Sequence, residues 1–165
     1  MKTIFRLILL TAIAALGFWL WTILFPSPEK IIRQRLTDLA RAATFGAQDS
    51  AIARGLKAQR LATFFSTDAQ LIFDAPGMGQ HTLSGREEIR ENATAAFQSI
   101  PLLRVEFLDT NIRLDAGRRD AEVALTAKVT SGDTKDFGVQ EMRFLFKKID
   151  GQWFIVRAET VKTLS

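Results

Sequence analysis

The sequence predicts an α+β domain, with helices on one face of a curved antiparallel sheet, behind a single transmembrane helix. Three observations carry that expectation. Leu7 to Phe25 is a run of 19 residues without a charge. Ile32, Leu36, Leu39 and Ala43 then recur at spacings of four, three and four, which is one face of a helix. From Leu103 onward the chain reads as long strands, the last two joined by Asp150-Gly151, a two-residue hairpin signal. Helices first and a run of strands last is the order of an α+β fold.

The apolar run is long enough to cross a bilayer as a helix at about 1.5 Å per residue. A cleaved signal peptide is the rival reading, since both begin with basic residues, here Lys2 and Arg6. The run exceeds the roughly 7 to 15 residues of a signal peptide, and it ends in bulky Phe18, Trp19, Trp21 and Phe25 rather than in small residues. Trp19 and Trp21 suit an interfacial belt. The expectation is therefore an uncleaved, single-pass anchor in residues 1–28 with the membrane held by residues 7–25. Basic residues flank the run on both sides, Lys30, Arg33, Arg35 and Arg41 following it, so charge alone does not orient it. The domain is expected on the extracytoplasmic side, periplasmic in a bacterium, because long domains cross largely regardless of charge.

Residues 29–165 are the size of one domain. Lys2 and Arg6 are two of the chain's 22 basic residues, which leaves 20 against 18 acidic ones in the domain. These charges alternate and form no basic run, so nucleic acid is not an expected partner. The chain has no Cys, which excludes thiol catalysis and a Cys-based metal site.

Ser27 as N-cap, Pro28 at the first helical position and Glu29 in the first turn start the first helix. Asp49 and Ser50 open a second helical stretch toward Leu61, Phe64 and Phe65, which Gly55 weakens by about 1 kcal/mol relative to Ala. A short strand from Ala69 to Asp74, a turn at Pro76 and Gly77, and an extended piece through His81 and Leu83 follow. Ser84 and Glu87 have the spacing of a capping box, placing a third helix from Gly85 to about Gln98, with Pro101 closing it. Strands are expected at 103–114, 120–130, 137–149 and 153–162.

Phe64-Phe65-Ser66-Thr67-Asp68-Ala69, then Leu71-Ile72-Phe73-Asp74-Ala75-Pro76-Gly77, then Leu83-Ser84-Gly85-Arg86-Glu87-Glu88-Ile89, and the terminal Asp150-Gly151-Gln152-Trp153 occur in a telling order. Over about residues 29–162 the chain resembles the nuclear transport factor 2-like superfamily, in particular its SnoaL-like branch, which includes polyketide cyclases and ketosteroid isomerases. The resemblance implies a cone, its sheet wrapped around three helices, with a pocket at the wide end. It also implies pairing of two copies through the sheet, and hence an apolar patch on the sheet's outer face.

By that resemblance Asp74 matches the general base of the isomerase-like members; the alternative is that it ends a strand and bonds the next turn. The chain has no Tyr, so the phenolic oxyanion donor of the isomerases is missing. His81, the single histidine, is the candidate acid, although a loop histidine near Gly77 and Gly79 is commonly solvent-exposed. One His with scattered carboxylates does not make a metal site, and no cofactor is expected. Alternation in the last strand puts Trp153, Ile155, Arg157 and Glu159 on one face and Phe154, Val156 and Ala158 on the other. That face, with Phe73, is the candidate ligand wall, Arg157 holding a carboxylate; pairing of Arg157 and Glu159 with neighbouring strands is the alternative.

Two functions follow as expectations. The first is a membrane-tethered, non-catalytic module that binds a protein partner, its own copy or a small apolar ligand. The second is a small-molecule enzyme of the cyclase, isomerase or dehydratase type, with Asp74 as base.

Overall fold

In the computed structural model the described residues are 26–75, 79–132 and 137–161. The expected membrane helix at 7–25 lies outside them. Among the described residues no helix is long and apolar enough to cross a membrane.

The chain forms α1 (Pro28–Ala43), α2 (Ala51–Ala62), β1 (Phe65–Ala75), β2 (Gly79–Ser84), α3 (Arg86–Ser99), β3 (Leu103–Leu114), β4 (Asp120–Ser131), β5 (Phe137–Ile149) and β6 (Gln152–Thr160). Helix α1 starts as its sequence dictates: the Ser27 hydroxyl accepts from the Lys30 N–H at 3.4 Å, and Pro28 follows at a position that needs no donor. Ser50 caps α2 in the same way, accepting from Ala53 N–H at 3.2 Å. In the loop between them Asp49 accepts from Lys57 Nζ and from the Gly46 N–H, both at 2.9 Å. These bonds, Lys57 first, hold its carboxyl below the usual range.

The six strands form one sheet in the order β2-β1-β6-β5-β4-β3. Every neighbouring pair is antiparallel except β1 and β6, which run parallel. The all-antiparallel expectation is corrected there: β1 and β6 are far apart in sequence, so no hairpin fixes their sense. Strand β1 also begins earlier than expected, because α2 stops at Ala62 and Phe65 pairs with Ile155 of β6. Asp150 and Gly151 both have positive φ, +49° and +83°, as the tight β5–β6 turn requires.

The capping box at Ser84 is displaced by one residue. Gly85 is the N-cap of α3, and Glu88, not Glu87, reaches back to the Ser84 N–H at 2.6 Å. Gly85 fixes this start: its φ is +87°, its N–H donates to Ala69 O, and a Cβ there would meet Thr67 O at 3.3 Å.

The core lies between the helices and the inner face of the sheet. Ile32, Leu36, Leu39 and Ala42 of α1 pack on Val123, Leu125, Phe144, Phe146, Trp153 and Ile155. A smaller cluster of Phe45, Ala58 and Phe97 joins α2 to α3, with the two rings 4.8 Å apart. The amphipathic stripe of α1 is thus covered by the domain's own sheet.

Candidate functional site

Strand irregularities decide which side chains meet. Phe146 pairs with Ile155 and Leu145 pairs with Arg157, so Val156 is an extra residue in β6. The bulge inverts the alternation halfway along the strand. Trp153 and Ile155 face the core, each 1% exposed, and so does Ala158 at 0%. Arg157 and Glu159 therefore turn to the outer face, which corrects the expectation that they share a wall with Trp153. Trp153 is sealed in the core, its indole N–H without a hydrogen-bond partner among the described residues.

On the outer face Arg157 donates from Nε to Glu159 Oε2 at 2.9 Å. Arg143 lies 3.4 Å from Glu159 on one side and 3.3 Å from Glu122 on the other. These residues are cross-strand neighbours, since Arg143 pairs with Glu159 and Leu145 pairs with both Glu122 and Arg157. An open groove of about 400 Å³ beside them is lined by Asn111, Arg113, Glu122, Glu141, Arg143 and others. The outer face is thus laced with charge where an apolar patch was expected, because the bulge delivers Arg157 and Glu159 to it.

The β1–β2 pair separates the two candidate catalytic residues. Phe73 sits opposite His81 and Asp74 opposite Gln80. Successive side chains alternate, so Asp74 and His81 point to opposite faces of the sheet. His81 extends the inner face beyond Leu71 and Leu83; it is exposed and stacks on Phe73 with ring centres 5.9 Å apart. Asp74 is half-buried on the outer side, and its backbone N–H donates to Thr160 Oγ1 at 3.3 Å.

A second concavity joins the helical layer to the sheet edge. A cleft of about 450 Å³ runs between α1 and β3, lined by Leu36, Ala40, Val105 and Phe107 as apolar floor and by Arg33, Thr37, Glu106 and Thr110. Thr44 Oγ1 accepts from the Val105 N–H at 3.0 Å, and Phe45 and Leu103 exchange backbone bonds, which closes the cleft at one end. Because Leu103 and Val105 aim their N–H groups away from β4, alternation puts the Phe107 N–H on the same open edge. Asp109 and Thr110 together oppose Leu125, and this bulge, with Asp109 at φ +50°, brings Thr110 to the rim. The sequence reading missed this cleft. Arg33 and Thr37, four apart beside the Leu36 stripe, were the available signal, but the bulge that completes the rim leaves no mark in residue spacing.

No protein-family model matches this sequence, and no curated protein matches it. Solved structures do match. A Nostoc punctiforme domain of unknown function with a cystatin-like fold aligns at a TM-score of 0.66 and 19% identity, over 86% of this chain and 80% of that one. The fold is the cystatin-like one. A Novosphingobium aromaticivorans protein described as NTF2-like, with a cystatin-like fold, aligns at a TM-score of 0.63 and 18% identity, over 92% of this chain and 88% of its own. From the same organism, a protein provisionally named as a scytalone dehydratase aligns at 0.60 and 16% identity, over 82% and 84%. The curved sheet and the layer of three helices expected from the resemblance are those of this cystatin-like fold.

Proposed function

We infer that this chain is a membrane-tethered binding module whose cleft between α1 and β3 holds a small, mainly apolar ligand. The observation that carries the non-catalytic part is the split of Asp74 and His81 across the sheet. General acid–base work needs both groups within reach of one substrate. The cleft supports the ligand: it has an apolar floor, one residue of each charge in Arg33 and Glu106, and an outward N–H on Phe107 to orient a polar head. The uncharged run at 7–25 supports the tether.

Titrating the fragment 26–165 with anilinonaphthalene sulfonate, an apolar dye with an anionic head, tests the cleft. Ala40→Trp fills the cleft from α1 and is expected to weaken binding by at least about tenfold, or roughly 1.4 kcal/mol, without changing the far-ultraviolet circular dichroism. Unchanged dye affinity in that variant overturns the cleft as the binding site. The competing reading is a dehydratase- or cyclase-type enzyme with Asp74 as base. It draws on the half-burial of Asp74 and on the neighbour provisionally named as a scytalone dehydratase. Dehydration of scytalone by the intact chain, lost in Asp74→Asn, decides for that enzyme.

A further inference from the structure

We propose that the end of the domain from which the apolar segment emerges docks electrostatically on anionic phospholipid headgroups. This rests on the membrane tether inferred above. Two anchors fix the direction of α1. Its C-terminal end is tied to the start of β3 through Thr44 and Val105. At mid-helix, eight residues before that end, the Arg35 guanidinium lies 5.4 Å from the Phe154 ring at the start of β6. Helix α1 therefore begins at the sheet end that carries the β3–β4 and β5–β6 turns. The Lys148 N–H donates to Arg119 O at 2.8 Å, which holds the two turns together.

That end carries five exposed cations on long side chains and as many carboxylates. Lys30, Arg118, Arg119 and Lys148 are exposed, and among the described residues none of them joins an ion pair. Arg143 and Arg157 on the outer face, by contrast, are paired with Glu122 and Glu159. Lys147, next to Lys148, is also exposed and interacts with Asp68. The same end holds Glu29, Asp68, Asp115, Asp120 and Asp150. Length separates the two signs: an aspartate carboxyl stays close to the backbone, whereas Lys and Arg reach several ångströms further toward a surface. Asp115 is also committed to its own turn, accepting from the N–H groups of Gly117, Arg119 and Asp120 at 2.8–2.9 Å.

The chain's length forces the contact. Only Pro26 and Ser27 separate the apolar run from α1, and two residues span at most about 7 Å. That is within the roughly 8 Å over which charges act at physiological salt. A spanning segment ending at Phe25 thus sets this end against the headgroup layer, where each long Lys or Arg side chain that reaches it favours an anionic surface by about fivefold.

Full-length protein is reconstituted with vesicles of phosphatidylcholine alone, or of phosphatidylcholine mixed with phosphatidylglycerol. Flotation reads the tether, and hydrogen exchange in peptides covering 115–119 and 147–151 reads docking. The expected result is flotation with both lipids, with exchange in those peptides slowed roughly fivefold or more only by phosphatidylglycerol. High salt, or Arg118→Glu combined with Lys148→Glu, restores the faster rate while flotation persists. Flotation with equal exchange in both lipids overturns docking and leaves the tether. Flotation only with phosphatidylglycerol overturns the tether and leaves docking. Flotation with neither overturns both.

Discussion

Arg54 is expected to be worth more to stability than any other charged side chain of α2. Its guanidinium donates to Ile100 O and Pro101 O at 2.8 Å, and more weakly to Phe97 O at 3.2 Å and Gly46 O at 3.4 Å. Its Nε donates to Asp49 O at 3.1 Å, and the Phe45 ring lies 5.0 Å from the guanidinium carbon. One cation therefore satisfies the carbonyls that end α3 and ties them to the loop before α2. A hydrogen bond from a charged donor nets about 1.5–3 kcal/mol. Counting only the two shortest at the low end, because the group is partly exposed, gives about 3 kcal/mol, and the ring contact adds about 0.5–1. Arg54→Met keeps the aliphatic stem and removes every donor, so the expected loss is about 3.5–4 kcal/mol, against a typical domain stability of about 5–15. Arg54→Lys supplies a point charge in place of the planar fork and is expected to recover about half of that. Urea unfolding of the fragment 26–165, followed by circular dichroism, measures both. A loss below about 1 kcal/mol for Arg54→Met, the level of an exposed ion pair, refutes the reasoning.

Gly85→Ala is expected to cost about 1–3 kcal/mol, because the residue keeps φ +87° and its new Cβ meets Thr67 O at 3.3 Å; a Tm equal to wild type contradicts this. Asp74→Asn retains the backbone bond to Thr160 and is expected to change stability by less than about 1 kcal/mol, read by the same urea titration. Acid sensitivity follows from Asp49 and Asp115, whose folded pKa values are depressed, Asp49 first by its bond to Lys57 and Asp115 first by the Asp120 N–H. A depressed carboxyl stabilises fully above its unfolded value and loses that contribution as pH falls through the folded one. The urea midpoint is therefore expected to fall below about pH 4 in the wild type, and to fall less in Asp49→Asn with Asp115→Asn; parallel profiles argue against it.

What was legible in the sequence is what short-range chemistry fixes. Ser27-Pro28 and Ser50 begin their helices because the cap is made within three residues. Asp150-Gly151 makes its turn because both positions need positive φ. The Ile32 to Ala43 stripe marked its own buried face. What escaped depends on partners distant in sequence. Val156 carries no mark of being an extra residue; only the pairing of β6 with β5 makes it one, and from there Arg157, Ala158 and Glu159 exchange faces. The parallel pairing of β1 and β6 joins residues 87 to 90 positions apart. Gly85 displaced the capping box because its N–H bonds Ala69 O and its positive φ sets the helix start there, a tie to β1 that residue spacing does not show. The role of Arg54 appears only once the end of α3 folds over it, since its partners there lie more than 40 residues on.

The same bulge bears on self-association. A sheet face that pairs with its copy gains chiefly by burying apolar surface, about 25 cal/mol per Å². Here the centre of that face holds Glu122, Arg143, Glu159 and Arg157 in a connected ladder, each already partnered within the chain. A second copy seated on the ladder has to strip water from four charges whose attractions are already satisfied, and burying ion pairs commonly costs more than it returns. The bulge after Ile155, which turns Ala158 into the core and Arg157 and Glu159 outward, thus gives the centre of the outer face its charged ladder.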